Sequence, residues 1–441
     1  MLNNIFQSVL IRLPAGLRGQ IARGAAGTFA LRIAMIGLAF VSSIVLARML
    51  GPSGYGTYAY VLAWLGLLII PAKLGMGMIV SREAARLLDR SEWGLLNGLM
   101  QWSIKRVLVA SISLSLLAVI PIVLFVPADI QPAFLVSLVF VPLAALTDLR
   151  QGAMRGLHHV FRGQLPEYCI QPVLFVAALV GASYLVQQDL SVTWIMVIRG
   201  LSIGIAFVLG FVFLAQTMPK EVSAAPPSYQ KDRWTKSIWP FMVISCTHLI
   251  NRRADILMLG ALQGVEAVGL YTIASRGAEL ITFVLTAVNM SLGPKISACY
   301  ARGDTERLQK MVVGSTRAIF AVSLPIALLL IFFGDWLLQV YGSGFLESGS
   351  ALRILCIGQL VNASVGSVGV LLDMTGNEKD SAQAIALGAA TNVALNALMI
   401  PRFGVEGAAI ATASSIVIRN ILLSIRVRRK LNISPTIFGK T

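Results

Sequence analysis

Roughly a dozen apolar stretches run from Gly27 to Ile425, each of about 20 residues and so long enough to cross ~30 Å of hydrocarbon as a helix. The segments between them alternate in cation content. Arg82–Arg106 carries five Lys or Arg, and 127–132 (PADIQP) none. Arg150–Gly163 carries three and 187–191 none; Lys220–Lys236 carries four and 261–266 none; Lys295–Lys310 carries four and 334–350 none. This is the positive-inside pattern of a polytopic membrane protein, and it sets an orientation.

Composition narrows the class further. The chain is 56% hydrophobic and 13% charged, with a mean hydropathy of +0.78, whereas a soluble domain carries about 25% charged residues. The net charge of +16 would point to nucleic acid in a soluble protein. Here most of it belongs to loops on one side of the membrane, so no nucleic-acid partner is expected.

The apolar stretches read as twelve spans: 27–49, 55–80, 105–126, 133–153, 166–186, 193–216, 238–260, 266–294, 311–333, 350–373, 381–400 and 404–425. The expected fold is therefore all-α. An even number of spans and a basic N-terminus (Arg12, Arg18, Arg23) place both termini in the cytoplasm. Residues 1–26 lack an unbroken apolar h-region and read as an interfacial amphipathic segment. The longest polar loop, 218–237, contains Pro226–Pro227 and reads as a linker. It separates a first six-helix bundle, 27–217, from a second, 238–430, with 431–441 as a cytoplasmic tail. The halves resemble each other. LGPSGYGTY (50–58) follows the first span and LGALQGVEAVGLY (259–271) the seventh, the second loop being four residues longer. Such six-plus-six repeats are related by an axis along the membrane normal.

Of the 36 Lys and Arg, ten fall within or at the ends of spans: Arg32, Arg48, Lys73, Arg199, Arg252, Arg253, Arg276, Arg317, Arg353 and Arg419. The acids there are Asp148, Glu167, Asp255, Glu279 and Asp373. A charge at membrane depth costs several kcal/mol and faces a partner or a polar cavity. The cationic excess means that an internal cavity would favour an anion. Local pairing stays open: Arg276 and Glu279 are three apart on one helix face, and Arg252 or Arg253 lies close to Asp255. Tyr55, Tyr58, Tyr60 and Trp64 read as an aromatic belt. Cys169, Cys246, Cys299 and Cys356 have no metal-ligand spacing, and there is no Walker loop, HExxH or nucleophile elbow. No metal, cofactor or enzymatic activity is expected.

LARMLGPSGYGTYAYVLA, ADILMLG…VEAVGLYTIASRGAEL, LGPKISACYARGDTERL, VYGSGFLESGSALRILCIGQL and MIPRFGVEGAAIATASS occur in that order along the chain. Together they resemble the bacterial polysaccharide/O-antigen (Wzx-type) flippases of the multidrug/oligosaccharidyl-lipid/polysaccharide (MOP) exporter superfamily. The resemblance implies two six-helix bundles in a MATE-like V shape. It also implies alternating-access transfer of an undecaprenyl-pyrophosphate-linked oligosaccharide from the cytoplasmic to the periplasmic leaflet of the inner membrane. Polysaccharide polymerase and chain-length proteins are implied as further partners. Helices one, two, seven and eight line much of the cavity in that family. Here they carry Arg32, Lys73, Arg252, Arg253 and Arg276, the expected pyrophosphate ligands. Asp148, Asp255, Glu279 and Asp373 are the expected ion-coupling carboxylates. The competing functions are a lipid II-type precursor flippase and a multidrug cation antiporter. The antiporter would need more cavity acid than cation. A membrane glycosyltransferase would need a catalytic group on an outside loop, where 334–350 offers only Asp335 and Glu347.

Overall fold

A computed structural model describes the backbone of residues 15–185, 190–236, 238 and 253–439, with side chains from Gly37 onward except at 185 and 236. Among these residues there are helices and no strand. In chain order they are α1 (Ala15–Lys73), α2 (Met76–Asp89), α3 (Trp93–Phe125), α4 (Gln131–Ser137), α5 (Phe140–Gly156), α6 (Val160–Leu165), α7 (Gln171–Leu185) and α8 (Val192–Thr217). Then come α9 (Lys220–Ala224), α10 (Lys231–Lys236), α11 (Val265–Ala301), α12 (Thr305–Tyr341), α13 (Gly349–Val365), α14 (Val368–Asp373) and α15 (Glu378–Leu431). Residues 253–263 are also helical.

Nine helical stretches among the described residues are long and apolar enough to cross a membrane. Two of them, α1 and α15, are each a pair of crossings joined at a glycine of positive φ, Gly51 (64°) and Gly404 (53°). Every expected span therefore has a helical counterpart except the seventh, 238–260, most of which lies outside the described residues with Pro240 and Cys246. The apolar window of α3 has a mean hydropathy of 2.7 with 22% of it buried inside the protein; that of α11 has 1.3 with 61%. The most apolar helix is thus among the least covered, and Leu116, Leu117, Ile120, Leu124 and Phe125 of α3 all point outward. A soluble protein does not expose a patch of that size, whereas lipid is the matching surround. The chain is a multi-pass membrane protein.

The chain divides into two compact units. One comprises residues up to Val45 with Leu65–Cys246, the other Leu46–Trp64 with Thr247–Thr441. The segment 46–64, placed by the sequence with the first six spans, packs with the second unit.

In the first unit α2 crosses α5 at glycines. A Cβ on Gly152 would collide with the Gly77 carbonyl, and one on Gly156 would lie 2.7 Å from the Ala84 Cβ. Small residues four apart permit this close approach. The sequence assigned Arg150 to a solvated inside segment. Instead it is fully buried, with its Nη2 2.6 Å from both Glu167 carboxylate oxygens. It also donates to the carbonyls of Gly163 (3.1 Å) and Gly210 (3.3 Å). A π-helical turn, Pro166–Ile170, carries Glu167 between α6 and α7. Breaking a buried pair leaves an uncompensated charge at a cost of about 3–5 kcal/mol, while replacing both partners by apolar groups is near neutral. Glu167→Leu is therefore expected to lower the melting temperature in detergent sharply, and Arg150→Met/Glu167→Leu to recover most of the loss. Equal melting temperatures for all three proteins would overturn this.

The 218–237 stretch is not a loose linker over its described part. The Ser228 amide donates to the Gly94 carbonyl (2.9 Å), and Asn97 Nδ2 to that of Ala225 (2.9 Å). The Tyr229 hydroxyl donates to Gln101 Oε1 (3.2 Å). A side chain at Gly98 would collide with the Ser228 carbonyl. Trp234 is buried with its ring 5.3 Å from that of Trp102. Arg233 reaches the buried Glu83 at 3.7 Å, beside Arg86 at 2.9 Å.

In the second unit the sequence repeat takes physical form. Gly51, Gly56 and Tyr58 recur as Gly264, Gly269 and Tyr271 at one constant offset. Gly51 (φ 64°, ψ −176°) and Gly264 (φ 88°, ψ 178°) share a backbone region open essentially to glycine alone. The helix before Gly264 runs through residue 263, so Gly264, and not Gly260, is the counterpart of Gly51. The four-residue insertion expected from the sequence disappears. The aromatic belt is corrected for two of its four residues: Tyr55 and Tyr58 are buried, their rings 6.2 Å apart, with Phe345 set edge-on to Tyr55 at 6.1 Å, while Trp64 is exposed.

Residues 432–439, expected as a free tail, fold back onto α12 and α13. Gln309 exchanges two hydrogen bonds with the Ser434 backbone (2.9 and 3.1 Å). Arg317 donates to the carbonyls of Ile437 and Gly439 (both 3.1 Å), and the Ile437 amide to that of Ser364 (3.2 Å). Ile433 enters a core cluster with Leu308, Val312, Leu371, Leu423 and Val427.

Candidate functional site: a polar cavity in the second unit

Two adjoining cavities open inside the second unit. One of about 320 Å³ is lined by Asp255, Glu279, Thr282, Asn289, Gln359, Asn362, Asn392, Thr412, Ser415 and Arg419. The other, of about 400 Å³, shares Asn289, Asn362 and Arg419 and adds Asp373, Ser381 and Asn420. Helices α11, α13 and α15 supply most of these groups, each from a span whose other faces are apolar.

Asp255 ends a directional hydrogen-bond chain. The Tyr271 hydroxyl donates to its Oδ2 at 2.5 Å, and the Ile256 amide to its Oδ1 at 2.8 Å. Because Tyr271 has a single proton, the Thr412 hydroxyl must donate to Tyr271 across their 2.9 Å contact. Asn392 Nδ2 donates to Thr412 (3.3 Å), and Asn396 Nδ2 to Asn392 Oδ1 (3.1 Å). All these donors point towards the carboxylate, so each bond polarises the next. The far end carries the buried Asn396 Oδ1, which accepts from no group among the described residues.

Arg419 behaves differently. It is half-buried, its stem lies over Gly388, and it forms no hydrogen bond or ion pair among the described residues. A side chain on Gly388 would meet Arg419 Cβ at 3.0 Å, so the absent Cβ sets the path of the guanidinium stem.

The sequence-derived candidates are distributed as follows. Arg32 and Arg252 lie outside the described side chains. Lys73 belongs to the first unit, where its Nζ is 3.6 Å from Asp148, so this expected anion ligand and this expected coupling acid face each other. Arg253 is within electrostatic reach of Asp255. Arg276 sits among Tyr55, Tyr58 and Tyr341, with Glu279 also in reach. Glu279 is exposed and lines the smaller cavity; Asp373 is exposed at the end of α14 and lines the larger. Arg48 donates to the Val340 carbonyl at 2.7 Å. Arg419 was visible in the sequence as an in-span cation but stood out from nine others in no way. Tyr271, Asn392, Asn396 and Thr412 were missed. Their one signal was Asn392 and Asn396, two carboxamides four apart on one face of an otherwise apolar span.

Residues 21–299 match the family described as polysaccharide biosynthesis protein, and residues 240–398 match MatE. The chain is 22% identical over 411 residues to a probable low-salt glycan biosynthesis flippase, Agl15, of Haloferax volcanii, covering 91% of this chain and 82% of that protein. The fold is similar to an inward-facing multidrug resistance MATE family transporter of the MOP superfamily (TM-score 0.76, 14% identity, 90% of this chain and 94% of that one). It is likewise similar to the lipid II flippase MurJ in an inward closed conformation (TM-score 0.71, 15% identity, 92% and 87%). With its many apolar crossings, its repeated Gly-x-Tyr junctions and a family match over more than half its length, this chain belongs to the polysaccharide biosynthesis protein family, with the fold of the MOP superfamily.

Proposed function

We propose that this protein is a flippase for a polyprenyl-pyrophosphate-linked oligosaccharide, undecaprenyl in a bacterial membrane. It moves the substrate from the cytoplasmic to the periplasmic leaflet of the inner membrane by alternating access, with both termini cytoplasmic. The observation that carries this reading is the polar cavity with Arg419 as a cation that has no partner among the described residues. A guanidinium at membrane depth is costly unless a ligand or water neutralises it, and its planar fork matches phosphate oxygens. Carboxamides around it suit the hydroxyls of a sugar. The flippase relative, similar over most of its length, supports the same substrate class. Asp255 is the coupling carboxylate we favour. It is the acceptor on which the hydrogen-bond chain converges, whereas Asp148 faces Lys73 and Asp373 is exposed.

Asp255 and Glu279 in the smaller cavity are also what a cationic-drug antiporter would use, so the test must separate the two. Purified protein in proteoliposomes is expected to translocate a labelled polyprenyl-pyrophosphate oligosaccharide. Transport of a cationic dye instead, with none of the glycolipid, would overturn the proposal. Orientation has its own readout. Single cysteines at 127–132 and 334–350 in a cysteine-free variant should react with an impermeant thiol reagent in spheroplasts. Labelling at 220–236 instead would invert the orientation.

A further inference from the structure

The first unit holds a pocket of its own, of about 300 Å³, outside anything the proposed transport reaction uses. It is lined by Trp102, Lys105, Arg106 and Val109 of α3 and by Lys231 of α10. Its three cations are exposed, and none forms an ion pair among the described residues. The Arg106 guanidinium lies 5.9 Å from the centre of the Trp102 ring, and Lys231 Nζ lies 5.2 Å from that of Tyr229. Trp102 is 6% exposed, and its indole N–H has no hydrogen-bond acceptor among the described residues. Directly along α3 the surface turns apolar and outward: Leu108, Val109 and Ile112 are exposed. These residues begin the apolar run of α3, at the end that the charge alternation assigns to the cytoplasm.

We propose that this pocket binds the phosphate headgroup of an anionic phospholipid of the cytoplasmic leaflet. The chemistry on each side of the site matches that amphiphile and no soluble anion. Three cations within one pocket face a phosphodiester, at the depth where a headgroup lies; basic pockets at this level are the usual seats of anionic lipids. The acyl chains continue along Val109, Leu108 and Ile112, which a free phosphate would leave uncovered. The Trp102 ring beside Arg106 and the Tyr229 ring beside Lys231 supply apolar walls under charged tips, as snorkelling side chains do. Lys231 and Lys105 come from different elements, so the bound lipid also joins α10 to α3. It becomes a further contact holding the 225–235 segment, beside the Ser228–Gly94 and Trp234–Trp102 contacts.

The inference does not depend on the transported substrate, and its test needs no transport. Full-length protein in detergent would be titrated with phosphatidylglycerol or phosphatidylcholine and read by native mass spectrometry. Quenching of tryptophan fluorescence by the brominated forms of the same lipids would be measured in parallel. Phosphatidylglycerol should be retained at least about fivefold more than phosphatidylcholine, a factor in keeping with a few surface cations acting together. Lys105→Ala/Arg106→Ala/Lys231→Ala should remove that preference, while Arg302→Ala/Arg307→Ala/Lys310→Ala should keep it. Should the first triple variant fold poorly, Lys231→Glu alone, at an exposed position, should still reduce the preference. Equal retention of both lipids by the unmodified protein, or an unchanged preference in both Lys105/Arg106/Lys231 and Lys231 variants, would overturn the proposal. So would displacement of phosphatidylglycerol by an equimolar polyprenyl phosphate, which would assign the pocket to the substrate carrier. Loss of the preference without loss of glycolipid transport would leave the proposed function standing and the lipid site established.

Discussion

Alanine at Gly56 or at Gly269 is expected to leave little folded protein in the membrane. The two glycines face each other where the segment after Gly51 crosses α11. A Cβ on Gly56 would collide with the Val265 carbonyl and lie 2.9 Å from the Gly269 amide nitrogen; one on Gly269 would collide with the Pro52 carbonyl and lie 3.1 Å from the Gly56 nitrogen. The obstacles are backbone atoms, which cannot rotate away as a side chain end can. The helices would have to separate, at a loss of packing on the order of 3 kcal/mol or more. Gly314 is the control. It lies within α12, and a Cβ there meets nothing within 4 Å, so Gly314→Ala should be neutral or stabilising by about 0.5–1 kcal/mol. Yield and monodispersity of a fluorescent fusion on size exclusion, with melting temperature, decide the matter. A Gly56→Ala protein as abundant and as stable as Gly314→Ala would mean that the crossing is looser than the structure has it.

Arg419→Ala should lower glycolipid transport strongly while leaving the protein folded. Among the described residues Arg419 has no partner that its loss would orphan, so stability should change little. If it holds the substrate pyrophosphate, truncation forfeits a charge-assisted contact worth about 2–4 kcal/mol, or roughly 30- to 1000-fold in affinity. Arg419→Lys should recover part of this, since lysine keeps the charge and loses the fork. Asp255→Asn is expected to act differently, reducing the dependence of transport on an ion gradient more than glycolipid binding. Binding of a labelled polyprenyl-pyrophosphate glycan and its translocation, measured on the same preparations, separate the two effects. Normal binding by Arg419→Ala would remove Arg419 as the phosphate ligand. An unaltered gradient dependence in Asp255→Asn would remove Asp255 as the coupling group.

These two experiments fall on different sides of what the amino-acid sequence discloses. The crossings, their glycine junctions and the Gly-x-Tyr repeat were legible, because transfer of a helix into lipid depends on about 20 consecutive residues and little else. The fate of each charge was not. Arg150 read as a loop cation and is fully buried against Glu167, seventeen residues on; Lys73 read as a substrate ligand and meets Asp148; Arg419 read as one cation among ten and faces a polar cavity with no partner among the described residues. Asn392, Thr412 and Tyr271, unremarkable in their own segments, converge with Asp255 only because α15 doubles back at Gly404 beside α11. Insertion into a membrane is a property of a segment, and the sequence determined it. Pairing of charges is a property of distances between segments, set by how closely glycine faces let the helices approach, and only the tertiary structure decided it.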